Sequence, residues 1–142
     1  MDYHFKRCLE KKNLIKVDID KDLIKKELKA AESDLKDSQD VLNAGKVKWA
    51  TISAYYSMFH AARALLYSKG YREKSHFCLR AALKNLFVDK NLLEASFLDD
   101  YDTAKDLREN ADYKSDFSQS SAEQLLNKAK QFLDKTKKLL KL

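Results

Sequence analysis

The sequence predicts an all-α protein, a five-helix, mainly up-down antiparallel bundle. Three observations carry that prediction. Its 142 residues contain no proline and only two glycines, Gly45 and Gly70, too few turn formers for a sheet protein of this length. Apolar residues recur at three- and four-residue spacing along most of the chain, the period of a helix with one buried face. The stretch AYYSMFHAARALL, residues 54–66, has almost no polar face and must be covered on more than one side.

Taken in order, residues 1–17 have weak periodicity and read as an N-terminal arm with a turn or two of helix. Residues 18–142 read as a single bundle domain. Ile24, Leu28, Ala31, Leu35 and Leu42 mark a first helix over about residues 19–43, with Gly45 as its stop. The second spans about 46–68 and ends before Gly70. Ile52, Tyr55, Phe59, Ala62 and Leu66 form one stripe, and Ala50, Ala54, Met58, Ala61 and Leu65 form a flatter one beside it. That flat, alanine-rich stripe suits close approach of another helix, from the same chain or a second copy. Ala54, Met58, Ala61 and Leu65 are therefore the expected interface of a two-fold dimer. Ser75 can cap a third helix, lined by His76, Leu79, Leu83 and Leu86. The fourth runs from about Leu92 to Tyr113, with Phe97, Tyr101, Ala104, Arg108 and Ala111 in register. Ser118, Ser120 or Ser121 caps the last, whose inward stripe is Ala122, Leu125, Ala129, Phe132, Thr136 and Leu139. Short breaks between the helices predict antiparallel neighbours.

The net charge of +6 is unevenly distributed. Residues 51–90 hold seven Lys or Arg against two acids, while residues 91–121 hold eight acids against three bases. A basic run of this kind serves solubility or phosphate contacts. No run of about 18 apolar residues occurs, so a membrane span is not expected. The start, MDYHFKRCLEKK, lacks the apolar core of a secretory signal. Two cysteines, Cys8 and Cys78, are too few for a disulfide framework and fit a reducing compartment. A cytoplasmic protein is expected.

Metal chemistry finds little support. Glu73–His76 has the Glu-x-x-His spacing of di-iron bundles, but neither His4 nor His60 supplies a second such pair. His4 and Cys8 share a helical face yet give fewer ligands than a structural zinc site needs. The isolated glycines build no phosphate loop. No metal and no cofactor is expected. Two polar residues interrupt apolar stripes instead. Arg108 sits on the Phe97–Tyr101–Ala104–Ala111 face with Asp112 one turn later, and His76 opens the stripe of the third helix. A buried arginine must be paired or hold an anion. The pattern allows a structural Arg108–Asp112 pair. It also allows a polar pocket of Arg108, Asp112, Tyr113, Arg72, Lys74 and His76 that presents cations to a phosphate.

The segment AYYSMFHAARALLYSKGYREKSH, followed by RENADY and a helix patterned in Ala and Leu, resembles the HEPN family, in particular its small stand-alone archaeal and bacterial branch. The likeness covers roughly residues 5–139. It implies a dimeric helical bundle that works beside a minimal nucleotidyltransferase, in a family that includes toxin–antitoxin components and ribonucleases. The ribonucleases share an arginine, four to six residues, then a histidine; the arginine holds the scissile phosphate and the histidine moves a proton. Arg108 matches the arginine. The histidine is missing, since RENADYK offers Asp112 and Tyr113 there and no histidine follows His76. The expected function is accordingly a nucleotide- or RNA-binding module of toxin–antitoxin type, lacking the complete ribonuclease motif and partnered by a nucleotidyltransferase that uses Tyr113 as acceptor. One alternative is a metal-independent endoribonuclease with a non-standard set, Arg108, His76 and Tyr113. The other is a purely structural dimeric interaction domain.

Overall fold

The computed structural model describes residues 2–141. Helix α1 spans Tyr3–Glu10, α2 Lys21–Asn43, α3 Val47–Ser68, α4 His76–Leu83, α5 Ser96–Tyr113 and α6 Gln119–Leu140. Two short strands, β1 (Leu14–Lys16) and β2 (Tyr71–Glu73), pair antiparallel with Leu14 opposite Glu73 and Lys16 opposite Tyr71. The fold is all-α, as predicted, with this small sheet added.

The stretch without a polar face is the centre of the bundle. Helix α3 packs against α2, α5, α6, α4 and β2, which accounts for its two adjacent apolar stripes. Its small residues let α2 approach closely enough for hydroxyls to bridge the two helices. Ser38 Oγ donates to the Ala50 carbonyl at 2.7 Å, and Ser57 Oγ to the Ala31 carbonyl at 2.8 Å. Both serines are buried, so each bond satisfies a group that would otherwise be costly.

This arrangement corrects the expected dimer interface. Ala54, Met58, Ala61 and Leu65 are fully enclosed by the chain's own helices and have no surface to offer a second copy. The flat stripe is flat because neighbouring helices of the same chain lie against it.

The turn or two of helix expected in residues 1–17 is α1, but the segment is docked on the core rather than standing off as an arm. Asp2 caps α1 by accepting the His4 N–H at 2.7 Å, and Phe5, Cys8 and Leu14 enter the main core. Seventeen residues with weak periodicity thus yield a short helix and an edge strand, each too brief to show a repeat. Cys8 and Cys78, expected as thiols, are joined in a disulfide with Cα atoms 5.8 Å apart, tying α1 to α4.

Caps follow the local chemistry. Ser75 accepts the Cys78 N–H, and of the three candidate serines it is Ser118 that caps α6, accepting from Ser121. After Ser68 the chain turns at Gly70, whose φ of +79° suits glycine. A Cβ there would sit 3.1 Å from the Val17 carbonyl oxygen, so the position also lets β1 approach. Helix α4 runs on into one wider π-turn, Lys84–Val88. Asn91, at φ 60°, then turns the chain, so α5 starts at Ser96 rather than Leu92.

Candidate functional site

Arg108 projects from α5 toward aromatic residues of α3. Its guanidinium carbon lies 5.2 Å from the Tyr55 ring centre, 5.6 Å from Tyr56 and 5.9 Å from Tyr113. The side chain keeps 17% exposure, and Asp112 is the carboxylate paired with it, Oδ2 lying 3.7 Å from Nη1. Nη1 also donates to the Tyr113 hydroxyl at 3.4 Å. Burial works against the charge. The Tyr113 hydrogen bond and the phenols of Tyr56 and Tyr55 outweigh it, and the pKa of Arg108 rises above its ordinary value. The residue stays cationic at any physiological pH, yet its Nε is buried with no acceptor.

From this cation a stack of rings runs through the bundle. Tyr55 stacks on Tyr101 with centroids 6.1 Å apart, and Tyr101 stacks on His76 at 4.4 Å. His76 Nε2 faces Asp102 Oδ1 at 3.4 Å, while Arg80 Nε donates to the other oxygen of Asp102 at 2.7 Å. Burial lowers the His76 pKa, and Lys105 adds to that effect, against the opposing hydrogen bond to Asp102. The imidazole is therefore mainly neutral near pH 7. Burial, with the Tyr55 phenol beside it, pushes the Tyr101 hydroxyl well above the usual tyrosine value.

Among the described residues, three buried side-chain polar atoms lack a hydrogen-bond partner: Arg108 Nε, Tyr101 Oη and His76 Nδ1. All three belong to this one stack. Unsatisfied buried polar groups are rare in folded proteins, and these three lie along one run of contacts from Arg108 to His76, the Tyr101 hydroxyl having the Tyr55 phenol as its nearest polar neighbour.

Of the six residues expected to share one pocket, the structure brings together Arg108, Asp112 and Tyr113, all on α5. His76 is linked to Arg108 only through Tyr55 and Tyr101. Arg72 and Lys74 are exposed on and just after β2, and no described hydrogen bond or ion pair joins either to the Arg108 cluster. Sequence reasoning missed Tyr55, Tyr56 and Tyr101. They sit at ordinary core spacing, and nothing in one sequence separates a ring that packs from a ring that also faces a cation. It also missed a second polar network. Glu73, with a side chain 3% exposed, accepts two hydrogen bonds from Arg63, at 2.8 and 3.2 Å. Arg63 also approaches Glu27 at 3.9 Å, and His60 spans Glu27 (2.6 Å) and Asp34 (3.6 Å). The Glu-x-x-His spacing of Glu73 and His76 is thereby explained without metal, since Glu73 serves an arginine and His76 a tyrosine ring. No group of three or more metal-ligating side chains gathers among the described residues. No described helix is long and apolar enough to cross a membrane.

The HEPN domain family model matches residues 24–139, a span that includes every residue of the stack. A Methanocaldococcus jannaschii protein named "Putative toxin MJ0142" is 32% identical over 119 residues, covering 82% of this chain and 81% of that one. A second protein from the same organism, "Putative toxin MJ0605", is 30% identical over 115 residues, 80% of this chain and 86% of the other. "UPF0332 protein PH1297" of Pyrococcus horikoshii is 35% identical over 71 residues, half of each chain. With most of its length matched and its apolar pattern built into the expected bundle, this chain belongs to the HEPN domain family.

Proposed function

We propose that the protein is the HEPN component of a toxin–antitoxin-type pair, and that it binds the phosphate of a nucleotide or RNA at Arg108. The observation that carries this reading is the state of the guanidinium. It is largely enclosed, its Nε has no acceptor, and its carboxylate partner is at a loose 3.7 Å. A phosphate with several acceptor oxygens completes such a site where one distant carboxylate does not. The tyrosine rings around it add faces on which a base can stack.

Binding, rather than RNA cleavage, is the favoured activity. Cleavage needs a proton carrier at the phosphate that the arginine holds. Within one chain, His76 stands behind two tyrosine rings from Arg108, and no histidine lies four to six residues after Arg108. Tyr113 has a different use. It is 74% exposed, with its hydroxyl beside the Arg108 cation. A minimal nucleotidyltransferase partner would transfer a nucleotide from a nucleoside triphosphate to that hydroxyl: the Tyr113 Oη–Pα bond forms, the Pα–O bond to the β-phosphate breaks, pyrophosphate leaves and the phenolic proton passes to solvent. Two copies would pair through the outer face of α3, where Trp49 and Tyr56 are exposed beside the half-buried Ile52 and Phe59. That face lies next to Arg108 and would bring two clefts together. A cytoplasmic setting fits this partnership, though the Cys8–Cys78 disulfide replaces the free thiols expected of a reducing compartment.

Incubation of the purified protein with RNA, with and without Arg108→Ala, tests the reading. RNA left intact across pH, with binding that the substitution removes, is the expected result. Cleavage abolished by Arg108→Ala overturns it in favour of the ribonuclease. Co-expression with the cognate transferase should place an adduct on Tyr113 by mass spectrometry, and its absence counts against the acceptor role.

A further inference from the structure

A second candidate surface lies between α1 and the N-terminal end of α4, where three aromatic rings remain unburied. Tyr3 is 67% exposed and Phe77 56%, and both flank His4. The rings meet edge to face, Tyr3 with His4 at 5.4 Å and His4 with Phe77 at 5.2 Å. In an edge-to-face contact one ring gives an edge and the other a single face, so Tyr3 and Phe77, each in one such contact with His4, each keep at least one face free of it. Such rings next to a disulfide-tied core could have been packed inward, since Phe5 and Cys8 on the same short helix are buried.

The rings border a groove of about 230 Å³ between α1 and α4. Arg7 and Lys11 also line it, and none of its lining residues is acidic. Lys74 stands at the rim, its backbone N–H bonded to the carbonyl of Asn13, a lining residue, at 2.9 Å. Asn13 and Ser75 complete the lining, the Ser75 Oγ also accepting the Cys78 N–H at 3.1 Å. The disulfide Cys8–Cys78 fixes the two walls, since Cys8 follows His4 by one helical turn and Cys78 adjoins Phe77.

We infer that this groove binds single-stranded RNA, as a site separate from the Arg108 cleft and not dependent on it. Open ring faces with interleaved cations suit unpaired bases on a phosphate backbone. Stacking supplies sequence-tolerant affinity and the cations supply salt-dependent affinity. Asn13 and Ser75 offer polar partners for a ribose 2′-hydroxyl. An apolar partner helix would leave Arg7, Lys11 and Lys74 facing nothing, and an acidic peptide would leave the ring faces unused.

The test uses a fluorescent oligouridylate and the full chain, with unfolding curves confirming that each variant is folded. The expected result is that Tyr3→Ala with Phe77→Ala weakens binding about tenfold or more. Arg7→Gln with Lys11→Gln should reduce the dependence of affinity on salt. Arg108→Ala should leave both of these effects measurable in its own background. Binding unchanged in the folded ring variant overturns the inference while leaving the Arg108 reading intact. Equal affinity for the matched oligodeoxyuridylate overturns the assignment to RNA. Self-association that the ring substitutions abolish, with RNA binding unaltered, gives the surface to a second copy and likewise overturns it.

Discussion

Replacing Arg108 by alanine separates a binding cation from a structural one, because the two roles differ in where the free energy is lost. In the folded protein the Arg108–Asp112 pair spans one helical turn, with Asp112 38% exposed and the closest atoms at 3.7 Å. Pairs of that kind stabilise by about 0.3–0.5 kcal/mol. Contacts between the guanidinium and the rings of Tyr55, Tyr56 and Tyr113 add about 0.5–1 kcal/mol for the best of them. Counting lost packing of the stem as well, Arg108→Ala should destabilise by about 1–2 kcal/mol. A fully buried ion pair that loses one partner costs about 3–5 kcal/mol instead. On the binding side, a hydrogen bond from a charged group to phosphate contributes about 1.5–3 kcal/mol, so affinity should fall roughly ten- to hundredfold. Urea denaturation followed by circular dichroism gives the first quantity, and fluorescence anisotropy with labelled RNA gives the second. A stability loss of about 4 kcal/mol or more with unaltered RNA affinity would refute the reasoning and make Arg108 a structural residue.

The other networks make their own predictions. Glu73→Ala strands Arg63 beside Glu27 at 3.9 Å and should cost about 3 kcal/mol, the low end for a buried pair; a loss of under about 1 kcal/mol in the same denaturation assay contradicts it. The disulfide closes a loop of 70 residues, so reduction should lower stability by about 4 kcal/mol, measured with and without reductant, and an unchanged unfolding midpoint contradicts it. His76 has a folded pKa below its unfolded value of about 6.5, so between the two the unfolded chain binds more protons. Its contribution is therefore present above about pH 6.5 and is lost as pH falls below that, and His76→Gln should flatten this part of the stability–pH curve.

How much of this was legible in the sequence depends on the length over which each pattern repeats. Helices α2, α3 and α6 run for several turns, and stripes such as Ile24–Leu28–Ala31 or Leu125–Ala129–Phe132 declared their buried faces directly. The apolar surplus of α3 correctly placed it at the centre. What covered its flat stripe was not legible, because an alanine looks the same against a helix of its own chain and against a twin. In the first 17 residues the turn or two of helix was legible as α1, but its docking on the core and strand β1 were not, being too short to repeat. At the candidate site, Arg108 was found because a charge interrupts an apolar series, and Asp112 and Tyr113 because they follow it on the same helix. The tyrosine stack was hidden in positions that any core residue could occupy. Arg72 and Lys74 were drawn in by charge alone, and charge does not fix position: the β1–β2 pairing carries them elsewhere.

The claim underlying this account is that the Arg108 guanidinium is where phosphate binds. Nitrogen-15 NMR of the arginine side chains, during titration with a mononucleotide and then with short RNA, observes that group directly. The Arg108 Nε–H resonance should shift and saturate with the ligand, and Arg108→Lys, which keeps the charge but loses the planar fork, should weaken binding. An Arg108 resonance that stays fixed while other side chains respond would place the ligand elsewhere and contradict the account.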